Sequence, residues 1–327
     1  MKKMSFKNKW LYVSLLALVG VPIPLSAQSF PSRPIRMIVP STPGGSVDTL
    51  ARAIGSRLSE KFGQQVVTDN RAGAGGVIAG ELTAKAPPDG YTLMMGTVAS
   101  LAANVSLHKK LPYDPLRDFA PVTLAATQNL MLVVNPSLQA KNVKELIALA
   151  RAKPGQITFA SAGSGAGGHL SGELFKLLAG VDMLHIPYKG VAPALVDVIS
   201  GQVSLTFPSL ISALPQVKSG KVRALAVTGA KRSQATPDLP TLQEAGVPGY
   251  ESATWYGVVA PTATPRDIIT KLNSEIVAIM KQPELRDRLA ADGADPLGST
   301  PEAFGLHLKS EIAKWAKVVK AAGLRAD

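Results

Sequence analysis

The chain has 327 residues, of which 46% are hydrophobic and 18% are charged, with a formal net charge of +12 and no cysteine. This length predicts two domains, and the hydrophobic content excludes an intrinsically disordered chain. The absence of cysteine excludes disulfide scaffolds, thiolate nucleophiles, iron–sulfur clusters and cysteine-ligated zinc.

Residues 1–27 are predicted to form a secretory signal peptide. Lysines at positions 2, 3, 7 and 9 precede an apolar stretch of 15 residues from Trp10 to Pro24, and a small residue, Ala27, ends the segment. A basic start, an apolar centre and a small-residue cleavage site are the pattern of such a peptide. An uncleaved anchor is the weaker alternative, because roughly 20 residues are needed to span a bilayer. We expect cleavage near Ala27 and a periplasmic mature protein.

The charge balance favours an anionic partner. The signal peptide carries four of the positive charges and no acidic residue, so the mature chain has a net charge of +8. Lysine and arginine are spread along the chain and aromatic residues are only 5%, which fits nucleic acid poorly. A small organic anion is compatible with this pattern.

Strand and helix patterns alternate along the chain. Short apolar runs bounded by proline, glycine or polar residues predict strands, and apolar residues three or four apart predict helices. In chain order these are strand 35–39, helix 47–58, strand 66–68, helix 77–85, strands 91–95, 122–125 and 131–134, helix 143–152, strand 157–160, helix 170–178, strand 184–186, helix 192–200, and strands 203–206 and 222–227. This alternation is typical of an α/β protein with parallel sheets.

The C-terminal segment begins with a predicted strand at 254–259. Two Thr-Pro pairs follow, Thr264-Pro265 and Thr300-Pro301. Each matches a helix start, with a capping hydroxyl before proline at the first helical position. The apolar stripes behind them, 268–279 and 304–319, predict helices that pack on the first sheet.

The order of these elements predicts an inserted domain. The first domain comprises 28–126 plus 254–327, the second comprises 127–253, and a ligand cleft lies between them.

Three segments share the order strand, glycine-rich turn, helix: 39–48, 160–169 and 187–190. Glycine lets the backbone approach a ligand closely, and a helix N-terminus presents free N–H groups and a positive dipole end to an anion. In open α/β sheets ligands bind beyond the carboxyl ends of the strands. Two such loops, one in each domain, predict an anion site across the cleft. The alternative is that these glycines only form tight turns.

Nucleotide binding and nucleophilic catalysis by these loops are weakly supported by the sequence. Gly163–Gly168 matches GxGxxG, but no acidic residue follows the next strand to bind a ribose, and Walker and GxSxG sequences are absent. His169 is interpreted as lying in the cleft floor or bracing its loop, in preference to a catalytic base. Asp48 is interpreted as a carboxylate in the first turn of its own helix. With histidines only at 108, 169, 185 and 307, we predict no metal and no cofactor.

Segments along almost the whole chain resemble the Bug/TctC family, the periplasmic substrate-binding proteins of tripartite tricarboxylate transporters. The matching segments are 30–36 (FPSRPIR), 43–48 (PGGSVD), 51–52 (AR), 70–76 (NRAGAGG), 86–93 (APPDGYTL), 161–163 (SAG), 169–170 (HL), 186–190 (IPYKG), 240–241 (PT), 244–246 (EAG) and 255–257 (WYG).

This resemblance implies an α/β two-domain periplasmic-binding-protein fold, the Venus flytrap, with two crossover strands as a hinge. It also implies a small carboxylate held in the cleft, no catalysis, and delivery to a two-subunit membrane permease. The predicted ligand-binding residues are Ser41, Thr42, Gly44, Gly45, Ser46, Val47, Thr97, Ser161, Ala162, Gly163, Ser164, His169, Tyr188 and Pro208.

The chain departs from the family pattern in two ways. Ser41 and Thr42 stand where an aromatic residue is frequent, and Pro208 stands where an acidic residue is common. Without that carboxylate, a ligand ammonium would lack a partner in a closed cleft. We therefore expect a dicarboxylate or an aromatic acid in preference to an α-amino acid.

Two other functions stay open from the sequence. One is a secreted α/β hydrolase with Ser161 or Ser164 as the nucleophile and His169 as the base, although no third member of a triad is evident. The other is a solute sensor that docks on a membrane receptor and uses the same cleft.

Overall fold

The computed structural model describes residues 30–188, 190–291 and 293–325. The predicted signal peptide at 1–27 lies outside these residues. Within them, no helix combines the length and the apolar character needed to cross a membrane.

Strands and helices alternate along the described chain. The strands are β1 (Ile35–Val39), β2 (Val66–Asn70), β3 (Thr92–Thr97), β4 (Phe119–Asn129), β5 (Met131–Val134), β6 (Thr158–Ser161), β7 (Leu184–Pro187), β8 (Leu205–Thr206), β9 (Arg223–Val227), β10 (Ala253–Pro261) and β11 (Ala294–Pro296). The helices are α1 (Ser46–Phe62), α2 (Val77–Ala84), α3 (Asn104–Leu107), α4 (Val143–Ala152), α5 (Gly167–Ala179), α6 (Val191–Ser200), α7 (Leu210–Lys218), α8 (Arg266–Met280), α9 (Pro283–Ala291) and α10 (Pro301–Ala321).

These strands form two sheets. The first has six strands in the order β11-β4-β10-β3-β1-β2, and the second has five in the order β7-β6-β8-β5-β9. Parallel pairing joins β1 to β2 and β3 and joins β6 to β7 and β8. The carboxyl ends of β1 and β6 thus open into the two glycine loops that the sequence singles out.

The chain passes between the sheets twice. It leaves the first sheet at Asn129, enters the second at Met131, and returns through residues 228–252. At the crossing, the Leu130 amide donates to Thr228 Oγ1 at 2.9 Å, and the Thr228 amide donates to the Leu130 carbonyl at 3.0 Å. The two connections therefore run side by side. The predicted boundary at 126 falls inside β4, and the domain limits stay a prediction.

Helix α1 shows how the apolar pattern positions the first loop. Val47, Leu50, Ile54 and Leu58 are all buried on one face, which is the spacing of a helix packed on a sheet. The helix ends at Gly63, whose φ of 63° is left-handed and whose amide donates to the Ser59 carbonyl. Glycine adopts this conformation without a steric penalty. The opposite end of α1 is thereby held at the carboxyl end of β1.

The C-terminal helices pack on the first sheet as predicted, with α8 and α10 both against β4. Their starts differ, however. Thr300 Oγ1 accepts from the Ala303 amide at 3.2 Å, which confirms the predicted cap. The prediction for Thr264 is wrong: its buried hydroxyl donates to the Pro261 carbonyl at 2.7 Å, and Pro265 is the residue before the helix.

Candidate functional site

A buried carboxylate organises the loop after β1. Asp48 is 2% exposed, and it accepts hydrogen bonds from the Gly44 amide at 2.8 Å, Asn70 Nδ2 at 2.8 Å and Arg52 Nε at 3.0 Å. Asn70 Nδ2 also donates to the Ser41 carbonyl at 3.0 Å. The loop from Ser41 to Gly44 is therefore fixed from inside by its own helix and by the end of β2.

These hydrogen bonds decide the ionisation of Asp48. Burial acts to raise its pKa, but the hydrogen bonds from Arg52, the Gly44 amide and Asn70 outweigh burial and hold the pKa below its usual range. The carboxylate stays charged at neutral pH. It acts as the brace of the loop and not only as a favourable charge in the first helical turn.

A buried histidine organises the second loop. His169 is 5% exposed, and its Nδ1 accepts a hydrogen bond from the Gly165 amide at 3.0 Å. Its ring stacks on His185 with centroids 3.9 Å apart and planes inclined by 21°. Burial lowers the pKa of His169 to about 3, with smaller effects from His185 and Lys176. The neutral ring braces the loop, which matches the interpretation made from the sequence.

Both loops lead into helices without side-chain caps. The residues before α1 and α5 are Gly45 and Ala166, and neither helix has a side chain that caps its first turn. By contrast, Asn142 caps α4. An uncapped first turn leaves backbone N–H groups for a ligand or for water. These two N-termini are thus suited to bind anions.

Contacts bring the two loops to one cleft. Ser46 Oγ in α1 lies 3.4 Å from Ser209 Oγ, which follows β8 of the second sheet. A Cβ placed on Gly168 in α5 would lie 2.9 Å from the carbonyl oxygen of Phe207. The Ser209 segment therefore lies between the N-termini of α1 and α5.

Loops beside the two sheets also approach each other next to Asn104. This side chain is 1% exposed, and its Nδ2 donates to the Gly75 carbonyl at 3.1 Å. Its Oδ1 lies 3.4 Å from the position of a Cβ on either Gly75 or Gly165, residues that belong to loops beside different sheets. The close approach of these loops depends on glycine, because both residues have positive φ, 61° and 78°.

The predicted site residues divide into two groups. Ser41 to Val47, Ser161 to Ser164 and His169 belong to the two braced loops. The other three make these contacts: Thr97 pairs with Ser100, the Tyr188 hydroxyl donates to Asp197 at 2.5 Å, and the buried Pro208 accepts at its carbonyl from the Met131 amide. The backbone of Tyr188 also contacts the second loop, because its amide donates to the Ser161 carbonyl at 2.9 Å. The assignment of all these residues to ligand binding stays a prediction.

Sequence reasoning missed Ser209 and His185. Ser209 follows Pro208, the position already singled out, and a hydroxyl three residues after the short strand β8 was the available signal. His185 is the second residue of β7, and its Nε2 is 2.6 Å from Ser161 Oγ. No motif marks it, because the pairing depends on the register of β6 against β7, where Ser161 lies beside Pro187.

The geometry does not form the serine–histidine pair that the hydrolase alternative requires. His169 Nδ1 is occupied by the Gly165 amide, and Ser161 contacts His185 instead. The charged group that acts on His185 is the Lys176 ammonium, which together with burial lowers the histidine pKa. A catalytic histidine needs an orienting carboxylate in that place.

Comparison with known proteins identifies the chain. Residues 50–324 match the family described as "Tripartite tricarboxylate transporter family receptor". The chain belongs to this family. Protein BugT of Bordetella pertussis is 40% identical to this receptor over 311 residues, covering 95% of each chain. A UPF0065 protein from the tcbD-tcbE intergenic region of Pseudomonas sp. strain P51 is also 40% identical over 311 residues, covering 92% of each.

Solved structures similar to this receptor include R. palustris Rpa4515 with adipate, with a TM-score of 0.86 and 43% identity over 90% of this chain and 99% of that one. The periplasmic binding protein BugD has a TM-score of 0.83 and 35% identity, over 90% of this chain and 99% of that one. MatC from Rhodopseudomonas palustris with bound malate has a TM-score of 0.82 and 33% identity, over 89% of this chain and 100% of that one. These likenesses confirm the predicted family and the predicted two-domain periplasmic-binding-protein fold.

Proposed function

We propose that this receptor captures a small dicarboxylate between the 41–47 and 161–168 loops and delivers it to a two-subunit membrane permease. The observation that carries the proposal is the convergence of two uncapped helix N-termini, those of α1 and α5, on one cleft. Each N-terminus stabilises one negative charge through its free amides and its dipole. A ligand with two carboxylates satisfies both.

The ligands of similar receptors support this class. The structures with 43% and 33% identity contain adipate and malate, and both of these acids carry two carboxylates. Pro208 adds a second argument, since the chain offers no carboxylate there to pair with a ligand ammonium. An aromatic acid remains the second choice within the same site.

Calorimetry on the purified mature receptor tests the ligand class. The panel is adipate, malate, succinate, citrate, the phthalate isomers, benzoate, nicotinate, aspartate and glutamate. We expect a dicarboxylate to bind tightest with one site per chain. Tightest binding of aspartate or glutamate would contradict the argument from Pro208, and no binding by any acid would contradict the proposed function.

A pair of glycine variants tests the location. Gly163 has a φ of 130°, and a Cβ there would lie 3.4 Å from the Tyr188 carbonyl. Gly220 also has a positive φ, 70°, but a Cβ there meets nothing within 4 Å. Both alanine variants strain the backbone, whereas only G163A alters the ligand loop. We expect at least a tenfold loss of affinity in G163A and none in G220A; equal losses would place the ligand elsewhere.

Export and delivery need separate tests. Residues 1–27 are proposed to direct secretion, so N-terminal sequencing of the periplasmic protein is expected to begin near Gln28 or Ser29. Retention of the early lysines would contradict this. Uptake of the labelled ligand by cells is expected to require both the receptor and its permease. Uptake that survives removal of the receptor would contradict delivery.

We further infer that the receptor binds without turnover. His169 serves as a hydrogen-bond acceptor for its own loop, which removes the base from the hydrolase alternative. Recovery of the bound acid chemically unchanged after prolonged incubation is the expected result. Hydrolysis of an ester of that acid, lost in S161A, would favour the enzyme instead.

A further inference from the structure

The Ser161 hydroxyl makes three short contacts at the base of the second loop. It accepts from the Gly163 amide at 3.1 Å, donates to the Gly163 carbonyl at 3.0 Å, and lies 2.6 Å from His185 Nε2. Ser161 is 2% exposed, so its hydroxyl is shielded from bulk water, whereas Gly163 and His185 are partly buried. The three contacts tie the turn at 161–163, the start of the ligand loop, to strand β7.

The number of protons in this cluster determines which atom donates in the hydrogen bond between Ser161 and His185. A serine hydroxyl has one proton and two lone pairs. If its proton goes to the Gly163 carbonyl and one lone pair accepts from the Gly163 amide, the remaining lone pair faces His185 Nε2 and the histidine is the donor. The contact itself allows either atom to donate, depending on the tautomer of the ring. The arrangement with the histidine as donor places the His185 proton on Nε2.

The surroundings keep this ring neutral. Burial lowers the pKa of His185 to about 4, with a further effect from the Lys176 ammonium. The ring stacks on His169 and lies 4.9 Å from the Phe159 ring. The charged groups near the stack are Lys176 and Glu173 on α5, which are 3.1 Å apart, and Asp182 before β7 acts on Glu173. A neutral ring has one N–H, so its tautomer matters.

We propose that His185 is a positioning residue for ligand binding, which donates from Nε2 to Ser161 Oγ and so fixes the turn at 161–163. His169 supports the same loop one turn later through the Gly165 amide. The two stacked rings thus hold both halves of the loop from beneath. The proposal rests on the proposed function for its binding consequence, whereas the direction of the hydrogen bond is independent of any ligand.

The first test needs no ligand. Two-bond ¹H–¹⁵N NMR spectra of the histidine rings distinguish a protonated from a bare Nε2, and single His→Gln variants at 108, 169, 185 and 307 assign the signals. We expect Nε2–H for His185 at pH 7. A bare Nε2 on His185 would overturn the proposal, because the histidine would then accept the serine proton as a general base does.

The second test measures affinity for adipate in four proteins. H185F retains a ring in the stack but cannot donate, and S161A removes the acceptor. We expect H185F to lower affinity about three- to tenfold, the effect of one hydrogen bond. We expect S161A to lower it at least as much, because this variant removes all three contacts of the hydroxyl, and the double variant to bind no more weakly than S161A does. Additive losses would overturn the proposal, since His185 would not act through Ser161.

A conservative variant separates positioning from packing. The amide Nε2 of glutamine reaches the place of the histidine Nε2 and donates there, so we expect H185Q to recover most of the affinity that H185F loses. H108Q, outside the stack, is the matched control and is expected to bind as the wild type does. Equal losses in H185Q and H185F would show a packing role only. If wild-type receptor binds no acid of the panel, the proposed function fails while the NMR result still decides the hydrogen bond.

Discussion

Asp48 is the residue on which the first ligand loop depends. Its three donors are the Gly44 amide, Asn70 Nδ2 and Arg52 Nε. In D48N the new amide N–H group meets at least one of these donors, which leaves a buried donor unpaired at a cost of about 1–3 kcal/mol. We expect that loss in the free energy of unfolding by urea. D287N, at a side chain 75% exposed, is the control and is expected to unfold as the wild type does.

The same carboxylate predicts an acid dependence. Because the pKa of Asp48 is lower in the folded protein than its ordinary value, the unfolded chain binds more protons as the solution becomes acidic. The stabilisation is complete above the ordinary aspartate pKa of about 3.9 and is lost as the pH falls below it. We expect the difference in stability between wild type and D48N to shrink below pH ~4. A difference that grows there would contradict the assignment.

His169 predicts a second dependence of folding stability on pH, at less acidic values. Its pKa is about 3 in the folded protein and about 6.5 in an unfolded chain. Between these values the unfolded chain binds the extra proton, so stability falls as the pH decreases from about 6.5, by up to ~1.4 kcal/mol per pH unit. Urea unfolding of H169Q between pH 6.5 and 4.5 is expected to show a shallower slope. A slope equal to that of the wild type would contradict the buried neutral ring.

At the scale of single residues, the sequence predicts the two ligand loops better than it predicts the side chains that hold them in place. The glycine pattern at 44–45 and 163–168 places both loops correctly after β1 and β6. The role of His169 follows from its place in the first turn of α5. His185 could not be predicted, because its contact with Ser161 joins residues 24 apart through the pairing of two strands, and strand order is not written in any local pattern.

At the scale of elements, two identical Thr-Pro pairs behave differently. Thr300 is an exposed N-cap, whereas Thr264 is buried and donates to the Pro261 carbonyl. Aspartate is as good a cap as threonine, so we expect T300D to keep the wild-type stability. T264D places a carboxylate against a carbonyl oxygen without a donor and is expected to cost about 3–5 kcal/mol. Similar stabilities of the two variants in urea would contradict the difference.

Two of the elements that the sequence missed have identifiable physical causes. Residues 99–103 form a π-helical turn in which all five side chains are buried, so no polar face creates a helical period. Helix α7 contains Pro215, which a sequence pattern treats as a break. Predictions worked where one face meets water, as in α1 and α10, because only there does burial leave a period in the sequence.

At the scale of the whole molecule, ligand binding is expected to close the cleft. Each loop comes from a different sheet, and the crossing at Leu130 and Thr228 joins them, so a ligand held by both loops draws the sheets together. We expect a smaller radius of gyration by small-angle scattering at saturating adipate. The free energy of unfolding is expected to rise by about 2.7 kcal/mol at a ligand concentration of 100 Kd. An unchanged radius at saturation would contradict closure.

A cross-link across the cleft tests closure directly. Ser46 Oγ and Ser209 Oγ are 3.4 Å apart, and the chain contains no cysteine, so the double variant S46C/S209C offers a single disulfide. Sulfur atoms in a disulfide are about 2 Å apart, a short movement from the observed contact. Oxidation in the presence of adipate is expected to trap the ligand, and reduction to release it.

The rate of adipate release before and after reduction measures the effect. S46C and S209C alone have no intramolecular partner and serve as controls, in which the oxidant is expected to leave release unchanged. Release at equal rates from the oxidised and reduced double variant, with the disulfide confirmed by mass, would show that the ligand leaves without separation of Ser46 from Ser209. If release is slow from the oxidised double variant and fast again after reduction, the ligand leaves only when Ser46 and Ser209 separate. This contact, between the start of α1 and the segment after β8, would then be the gate of the cleft.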